Sequence, residues 1–299
     1  MKIAVFTKNR LNPAYGAARL GAERAAARLG AQVTHYVPEV ADDAAEQSAL
    51  LERALADRPD AIALATVHPT RVDAAIRKVN AAGIPLVGFI SRSEAGKWDC
   101  FIGADNCRVG AELAAYLLAR LSRNGAVVIV EAAADSPTSI DRVHGFRDAL
   151  AKYPGIRIVG TCNGEYQFEP ARREMARLLA AVAHIDGVLA ANDVMALGAI
   201  EALQAAGRSA LVVGVNAIPD AIDAIKRGAM LATADFSAMS LGALATECAV
   251  LRVRGEAVPR EIMLPVEIID RSNVGAWDLP YERRPCLEWD EALRIGVQR

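Results

Sequence analysis

Short apolar runs alternate with longer amphipathic stretches along almost the whole chain. The first apolar run lies within residues 2–7 and is typical of a buried strand, because its consecutive side chains are apolar on both faces. A polar loop over residues 8–11 follows. Asn12 then has the residue type of a helix N-cap, and the helix is predicted over residues 13–29, with a proline in first position and Gly30 as the stop. A strand therefore leads into a polar loop at the start of a helix.

The same two periodicities continue to the end of the chain. Further strands are predicted over residues 32–37, 61–66, 85–90, 100–102, 126–130, 156–162, 187–190, 211–215, 231–234 and 261–270. Further helices are predicted over residues 43–56, 69–82, 107–123, 139–152, 170–183, 194–206, 219–227, 238–254 and about 290–295. This alternation implies parallel sheets with helices on both faces, and right-handed crossovers make them doubly wound. Ligands bind outside the carboxyl ends of such strands, so the loop at residues 8–15 is a candidate binding element.

An internal repeat divides this alternation into two similar parts. The segment DAIALAT…AAGIPLVGF at residues 60–89 resembles DGVLAAN…AAGRSALVVGV at residues 186–215. Each segment contains a predicted strand, a helix that ends in Ala-Ala-Gly, and a second strand. The predicted fold class is therefore α/β, with two similar doubly wound parallel-sheet lobes.

The two lobes are predicted to interleave along the chain. We assign residues 1–104 plus 237–265 to an N-terminal lobe and residues 105–236 plus 266–274 to a C-terminal lobe. The chain would then cross between the lobes three times, and a three-strand hinge of this kind favours opening and closing around a ligand. Residues 275–299 are predicted to form a C-terminal extension packed on the surface, where it reinforces a lobe or the hinge.

Composition excludes several classes of partner. The chain has 299 residues, of which 53% are hydrophobic, so it has enough apolar material for two cores. Its net charge of −2 and the lack of a basic block argue against nucleic acid or an anionic membrane as the main partner. No stretch is apolar for long enough to span a bilayer, so no direct membrane insertion is expected. No signal peptide is recognisable, which favours either a cytosolic protein or the mature form of an exported protein with an added Met.

Cysteine and histidine placement does not indicate a metal site. The five cysteines match no zinc-binding spacing and are interpreted as small buried side chains. Cys100 and Cys107 are close enough in sequence to form a disulfide in an oxidising compartment, and that alternative stays open. We predict no metal, no cofactor and no catalytic residue. The sequence contains no GxGxxG, P-loop or GxSxG motif, so an enzyme is not predicted.

Several segments, taken in order, resemble one family. They are KIAVFTKNRLNPAYGAARLGAERAAARLG, RPDAIALAT, AAGIPLVGFISR, GADNCRVGAELAAYL, DRVHGFRDAL, GVLAANDVMALGAIEALQAAG and VVGVNAIPDAIDAIKRG. This set is similar to the type I periplasmic sugar-binding proteins of ABC importers, in the ribose-binding protein group, from about Lys2 to Asn273. The resemblance implies the periplasmic binding protein type I fold. The same family includes the sensing cores of LacI-type repressors, whose DNA-binding headpiece has no counterpart in these segments.

The resemblance implies ligand-binding roles in the first loop. The family has Asn-Pro followed by two aromatic residues there, and this chain has Asn12, then Ala14 in place of the first aromatic and Tyr15 in place of the second. Asn12 would bind a sugar hydroxyl and Tyr15 would stack on the C–H face of the sugar. Asn12 could instead serve only as the helix cap, or it could do both. Lys8, in the preceding loop, is a further candidate.

Two arginines are implied to bind the ligand. At the end of the predicted strand 85–90 the family usually has Asp-Arg, and this chain has Ser91 and Arg92. Arg142, in DRVHGF, matches a second ligand-binding arginine of the family. The rigid guanidinium donors of arginine suit vicinal hydroxyls or a carboxylate. The alternative, a solvated surface arginine, is more plausible for Arg142 than for Arg92.

The C-terminal lobe would supply the remaining polar candidates. Asn192 matches a ligand-binding asparagine at a strand end, and Asp193 beside it is expected to cap the next helix. In GVNAIPD the family often has Phe-Asp, and this chain has Val215 and Asn216.

Aromatic and acidic candidates follow in two further segments of the same lobe. In LATADFSAMSLG the ligand-binding glutamine of the family aligns with Phe236, next to Asp235, and the sequence does not decide which of the two faces the cleft. In GEYQFEP, Tyr166 and Phe168 both match the position of a ligand-stacking aromatic residue.

These departures from the family alter the charge expected at the site. Two aspartates of the family are replaced by Ser91 and Asn216, whereas the basic candidates remain. Unless Asp235 points inward the cleft would be net positive, and a buried charge needs a partner from the ligand or the protein. We therefore expect the ligand to be a small polyhydroxy compound other than ordinary ribopyranose, namely another monosaccharide, a sugar alcohol or a sugar acid.

The function implied by the resemblance is that of a substrate-binding component of an ABC transporter. It would capture a small carbohydrate in the interlobe cleft by hinge closure and deliver it to an ABC permease. The protein is expected to be a periplasmic monomer in its mature form. The alternative is the ligand-sensing core of a LacI-type regulator or of a sensory receptor.

Overall fold

The computed structural model describes residues 1–297 and divides into two compact units. Unit 1 consists of Met1–Ala104, Ser237–Pro265 and the described residues from Tyr281 onward, and unit 2 consists of Asp105–Phe236 and Val266–Pro280. Within the described chain the backbone therefore passes between the units four times rather than the three times expected. The tail does not stay together as one extension, because it is divided between the units after Pro280. The last two residues of the tail predicted at 275–299 lie outside the described residues.

The helices and strands follow one another as the sequence periodicity predicts. The strands are β1 Lys2–Phe6, β2 Gln32–Tyr36, β3 Ala61–Leu64, β4 Leu86–Phe89, β5 Cys100–Gly103, β6 Gly125–Glu131, β7 Ile156–Asn163, β8 Gly187–Ala190, β9 Leu211–Val215, β10 Ala232–Asp235, β11 Glu261–Met263 and β12 Glu267–Asp270. The helices are α1 Pro13–Leu29, α2 Ala44–Asp57, α3 Asp73–Ala81, α4 Asn106–Arg120, α5 Pro137–Leu150, α6 Phe168–Ala181, α7 Asp193–Ala205, α8 Pro219–Lys226, α9 Ala238–Val253 and α10 Trp289–Gly296. No helix among residues 1–297 has both the length and the apolar character that crossing a membrane requires.

The two sheets have the same strand order. In unit 1 the order is β11-β5-β4-β3-β1-β2, and in unit 2 it is β12-β10-β9-β8-β6-β7. The described strand pairs are parallel except for β10 and β12, which pair antiparallel at the edge of the second sheet. The repeated segments of the sequence form β3-α3-β4 and β8-α7-β9, which occupy equivalent places in the two sheets. The predicted fold class of two similar, doubly wound α/β lobes is confirmed.

The prediction of one strand over residues 261–270 is wrong. β11 lies in the sheet of unit 1, whereas β12 pairs with β10 in the sheet of unit 2. Pro265 lies between them, and proline has no backbone N–H to continue a strand ladder. The alternation of apolar and polar residues continues through this point, so it does not reveal that the strand partners change.

Helices α1 and α9 pack backbone against backbone in unit 1. A Cβ atom at Gly21 of α1 would lie 2.0 Å from the Met239 carbonyl oxygen, and one at Gly242 of α9 would lie 2.0 Å from the Ala18 carbonyl oxygen. Real side chains never approach that closely, so only glycine fits at these positions. Residues 238–250 of α9 are all buried, which is typical of a helix that is covered on every side.

In unit 2, helices α4 and α5 also pack backbone against backbone at two glycines. A Cβ atom at Gly110 of α4 would lie 2.2 Å from the Arg142 carbonyl oxygen, and one at Gly145 of α5 would lie 2.0 Å from the Cys107 carbonyl oxygen. Each unit thus contains a pair of helices whose separation is set by two glycines.

The five cysteines all lie within the described residues and are free thiols. Cys100 lies in β5 of unit 1 and Cys107 in α4 of unit 2, and no disulfide joins them in this structure. The partner of Cys100 is Cys248 of α9: a hydrogen bond between the two thiols, together with burial, raises the pKa of Cys248. Cys100 and Cys248 are buried, as interpreted from the sequence, whereas the other cysteines are half-buried.

The helix contact in unit 1 predicts the effect of a single methyl group. Gly21→Ala is expected to lower the free energy of unfolding by about 1–3 kcal/mol or more, because the methyl overlaps the Met239 carbonyl oxygen and forces α1 and α9 apart. Urea unfolding, followed by circular dichroism, measures this change.

Gly16→Ala is the matched control in the same helix. The nearest atom to its Cβ is Arg19 Nη2, 3.9 Å away, so the substitution is expected to be neutral or to stabilise the protein by up to about 1 kcal/mol through helix propensity. Equal effects of the two substitutions would contradict the assignment of the glycine contact.

Candidate functional site

The loop after β1 contains buried polar residues that are joined by hydrogen bonds. Asn12 is the N-cap of α1, and its Oδ1 accepts the N–H of Ala14 at 3.0 Å. The backbone N–H of Asn12 donates to Asn9 Oδ1 at 2.9 Å, and Asn9 Nδ2 donates to both carboxylate oxygens of Asp42 at 3.3 Å. The side chain of Asn12 is therefore oriented by hydrogen bonds that extend to the loop after β2.

Lys8 is buried close to Asp42. Its carbonyl oxygen accepts the N–H of Asp42 at 3.2 Å, and its positive charge acts on the Asp42 carboxylate. Burial raises the pKa of Asp42 above its ordinary value, while Lys8 and the hydrogen bond from Asn9 oppose the rise. The charge of Lys8 thus has an acidic neighbour within unit 1, which the sequence analysis did not find.

The first turn of α1 carries the predicted aromatic. Tyr15 is half-buried, whereas Ala14, at the position where the resemblance implies an aromatic ring, is buried.

The carboxyl ends of β3 and β4 are joined by reciprocal hydrogen bonds. Ser91 Oγ donates to the Thr66 carbonyl oxygen at 2.8 Å, and Thr66 N donates to the Ser91 carbonyl oxygen at 3.2 Å. Ile90 has a φ of +64°, which is rare for a β-branched residue and concentrates at functional sites. Thr66 Oγ1 is buried and has no hydrogen-bond partner among the described residues. A buried hydroxyl left unpaired costs about 1–3 kcal/mol, so Thr66 is an additional candidate for ligand contact.

Arg92 lies towards the other edge of the same sheet. Its guanidinium stacks over the Phe101 ring at 4.4 Å and forms an ion pair with Glu261 at 3.0 Å. About half of both charged side chains is exposed, at 45% each. The guanidinium of Arg92 therefore contacts residues of β5 and β11. Its implied ligand role has the least structural support among the predicted residues.

Arg142, in the second turn of α5, is the central basic residue of unit 2. It is only 4% exposed, so it is not a solvated surface arginine. Its Nε donates to Asn106 Oδ1 at 2.8 Å, and its Nη1 donates to the Ala191 carbonyl oxygen at 2.7 Å. The guanidinium lies 5.3 Å from the centroid of the Phe236 ring. These contacts hold the guanidinium in one orientation at the carboxyl ends of β8 and β10.

Asn192 follows Ala191, whose carbonyl oxygen binds Arg142, and it contacts Tyr166. Asn192, rather than the expected Asp193, is the N-cap of α7: its Oδ1 accepts the N–H of Met195 at 2.8 Å. Asn192 Nδ2 donates to the Tyr166 carbonyl oxygen at 3.4 Å. The Tyr166 hydroxyl hydrogen-bonds to Thr138 Oγ1 at 2.8 Å, and this bond links α5 to the loop after β7.

Asp235 and Phe236 point to different partners. Phe236 is buried against Arg142, whereas Asp235 Oδ2 accepts the indole N–H of Trp277 at 2.8 Å. Both residues therefore belong to the same region of unit 2, one through an aromatic face and the other through a carboxylate.

The two remaining candidates of unit 2 lie at strand and helix ends. Asn216 follows β9, is buried and has a φ of +124°. Phe168 is the first residue of α6 and is half-buried.

Asp193, the first residue of α7, is fully buried. Its Oδ1 accepts from the Thr233 hydroxyl at 2.6 Å and its Oδ2 accepts from the Ile218 N–H at 3.1 Å. Burial raises the pKa of Asp193 to about 7, the two hydrogen bonds oppose that rise, and the nearby Asp235 adds to it. The carboxyl group thus joins the start of α7 to β10 and to the loop after β9.

Four of the predicted residues of unit 2 form two contacts, Arg142 with Phe236 and Asn192 with Tyr166. The two are joined through Ala191, whose carbonyl oxygen binds Arg142 and which precedes Asn192 in the chain, and we call this set the contact network. Sequence reasoning missed Asp42, Thr66, Thr138 and Trp277. Thr66 and Thr138 carry a recognisable signal, since both lie at the carboxyl end of a strand or at a helix start. Asp42 and Trp277 carry none, because their contacts join segments that are far apart in sequence.

Comparison with known proteins places the chain in a family. A family model described as periplasmic binding protein domain matches residues 3–257. The chain therefore belongs to the periplasmic binding protein family.

Individual relatives extend the match over almost the whole chain. The D-apiose import binding protein of Paraburkholderia graminis is 30% identical over 284 residues, which cover 93% of this chain and 89% of that protein. The ribose import binding protein of Bacillus subtilis is 27% identical over 266 residues, covering 89% of this chain and 85% of that protein.

A solved structure shows the same fold. The periplasmic solute-binding protein of an ABC transporter from Actinobacillus succinogenes, with bound D-allose, is 29% identical and superposes with a TM-score of 0.87, covering 91% of this chain and 98% of that one. The resemblance stated from the sequence is confirmed, as is the role of a substrate-binding protein of the ABC-importer type.

Asp193 makes a testable contribution to the pH dependence of stability. Its carboxyl group has a pKa of about 7 in the folded protein and a pKa near 4 in the unfolded chain, so between these values the folded state binds more protons. The stabilisation is therefore complete below about pH 4 and is lost as the pH rises through 7. Asp193→Asn removes this titration and keeps an acceptor for Thr233. Between pH 5 and pH 8 the wild type should lose about 2.5 kcal/mol more free energy of unfolding than the variant.

Urea unfolding of both proteins across this pH range measures the difference. Parallel stability profiles would show that Asp193 ionises normally in the folded state.

Proposed function

We propose that this chain binds one small carbohydrate as the substrate-binding component of an ABC importer. The observation that supports it most is the buried Arg142 guanidinium, held by Asn106 and Ala191 and stacked on Phe236. Oriented N–H donors next to an aromatic face suit a sugar, whose hydroxyls surround apolar C–H groups. Among the relatives, those named above bind or import ribose, apiose or allose by their printed descriptions.

The proposed ligand-binding set follows the positions of these residues. In unit 1 it comprises Lys8, Asn12, Tyr15 and Ser91, with Thr66 added. In unit 2 it comprises Arg142, Tyr166, Phe168, Asn192, Asn216, Asp235 and Phe236. Arg92 is a peripheral member because Glu261 and Phe101 occupy its guanidinium.

Charge compensation supports a neutral ligand. Lys8 faces the Asp42 carboxylate, and Arg142 donates to Asn106 Oδ1 and to the Ala191 carbonyl oxygen. Because the protein supplies acceptors for both cations, we infer that no carboxylate from the ligand is required. We therefore favour a monosaccharide or a sugar alcohol over a sugar acid, and a compound other than ribopyranose.

The proposed partners follow from the same role. The loaded protein would deliver its ligand to an ABC permease, act in the periplasm and remain a monomer. No nucleic acid partner and no catalytic step are part of the proposal.

A thermal-shift panel tests the ligand class. D-Ribose, D-allose, D-apiose, xylitol and D-gluconate are compared at equal concentration against buffer. At a concentration of 100 times Kd a bound ligand stabilises a protein by about 2.7 kcal/mol, so a neutral member of the panel other than ribose should raise Tm by several degrees. Stabilisation by ribose alone would sink the proposal of a different sugar, and stabilisation by D-gluconate alone would sink the proposal of a neutral one.

The two arginines provide a matched pair of variants. Arg142→Lys keeps the charge but loses the planar fork, so it is expected to weaken binding of the stabilising sugar about tenfold or more. Arg92→Lys is expected to change Kd less than about twofold, because its guanidinium contacts Glu261 and Phe101. Isothermal titration calorimetry measures both values. A larger loss for Arg92→Lys than for Arg142→Lys would reverse the assignment.

A further inference from the structure

We propose that Trp277 is a positioning residue that fixes the carboxylate of Asp235 as an acceptor for the hydroxyl groups of the ligand. The inference rests on the proposed function, because it assigns a role within the same binding set. Trp277 lies outside residues 3–257, the part of the chain that the family model matches. The segment that follows β12 would therefore contribute to ligand binding in this chain.

The segment that carries Trp277 is tied to unit 2 on its N-terminal side. Asn273 Nδ2 donates to the Ile268 carbonyl oxygen at 3.0 Å, and the N–H of Asp270 donates to Asn273 Oδ1 at 2.9 Å. A 3₁₀ turn at Val274–Ala276 follows, with Val274 buried. The chain leaving β12 is thus held close to the sheet.

The segment is also tied on its C-terminal side. Lys226, the last residue of α8, forms an ion pair with Asp278 at 2.6 Å. This pair is partly exposed and contributes little to stability by itself. Because Val274 is anchored before Trp277 and Asp278 after it, the backbone on both sides of the indole is held.

Asp235 is placed where the family of folds binds ligands. It is the last residue of β10, at the carboxyl end of a parallel strand, and its backbone pairs with Glu267 of β12. The next residue, Phe236, stacks on Arg142. The carboxylate is therefore adjacent in sequence to the contact network of the proposed site.

The bond from Trp277 orients the carboxylate through a neutral donor. Indole has one N–H donor and no charge, and a carboxylate can accept about four hydrogen bonds. The bond from Trp277 therefore uses one acceptor position of the Asp235 carboxylate and brings no positive charge to it. Hydrogen bonds to a charged acceptor are about twice as strong as neutral ones.

The test compares two tryptophan variants. The probe is the member of the panel D-ribose, D-allose, D-apiose and xylitol that raises the Tm of the wild type most. Trp277→Phe keeps an aromatic ring but removes the N–H donor, and it should weaken binding of the probe about tenfold. Trp289→Phe, in α10 of unit 1, is the matched control and should leave Kd unchanged.

A double-mutant cycle separates positioning from general structural damage. If Trp277 acts through Asp235, adding Trp277→Phe to Asp235→Ala should weaken binding no further than Asp235→Ala alone, because alanine leaves no acceptor for the indole N–H. In a variant that retains only Trp277, with Trp98→Phe and Trp289→Phe, binding of the probe should also change the fluorescence emission.

The outcomes distinguish the inference from the proposed function. If the probe binds but Trp277→Phe has the Kd of the wild type, or its loss is equally large in the Asp235→Ala background, the role of Trp277 is overturned and the function stands. If no panel member stabilises the wild type, both are overturned together.

Discussion

The close approach of paired helices is the constraint on which the two units depend. In each unit two helices meet backbone to backbone, at Gly21 and Gly242 in unit 1 and at Gly110 and Gly145 in unit 2. The contact sets where the first helix of each unit begins relative to its sheet. In unit 2 the effect is direct, since the atom that faces Gly110 is the carbonyl oxygen of Arg142. A packing requirement of the core thereby fixes the backbone of the central basic residue of the proposed site.

The duplicated sheets place strained backbone at equivalent strand ends. β4 and β9 hold corresponding positions in the two sheets, and each is followed by a residue with positive φ, Ile90 and Asn216 respectively. Such conformations cost about 1–3 kcal/mol and persist only where the surroundings enforce them. Ligands of such folds bind at the carboxyl ends of the strands, and the positive φ angles lie at those same ends. This agrees with a binding role for the carboxyl ends of β4 and β9.

The sequence predicted the elements well because their signals are local. Hydrophobic periodicity, the cap at Asn12 and the repeat at residues 60–89 and 186–215 all depend on neighbouring residues. The errors arose where partners are distant in sequence. Residues 261–270 pass from one sheet to the other while the alternation of apolar and polar residues continues. Asp193 has the residue type of a helix cap, but its carboxyl group accepts a hydrogen bond from Thr233 of β10. Spacing alone carries no information about such partners.

The charge of the proposed site shows the same limit most clearly. Counting residues in the aligned motifs predicted a net positive site unless Asp235 points inward, because two family aspartates are replaced while Arg92, Arg142 and Lys8 remain. In the structure, Lys8 has its carboxylate neighbour Asp42 in the loop after β2, and Arg142 donates to neutral oxygens of Asn106 and Ala191. A buried cation needs partners, and here the fold supplies them from segments that are distant in sequence. The lost aspartates therefore remove hydroxyl acceptors without creating an anion site, so the expected difference from ribose lies in the arrangement of hydroxyl groups and not in the charge of the ligand.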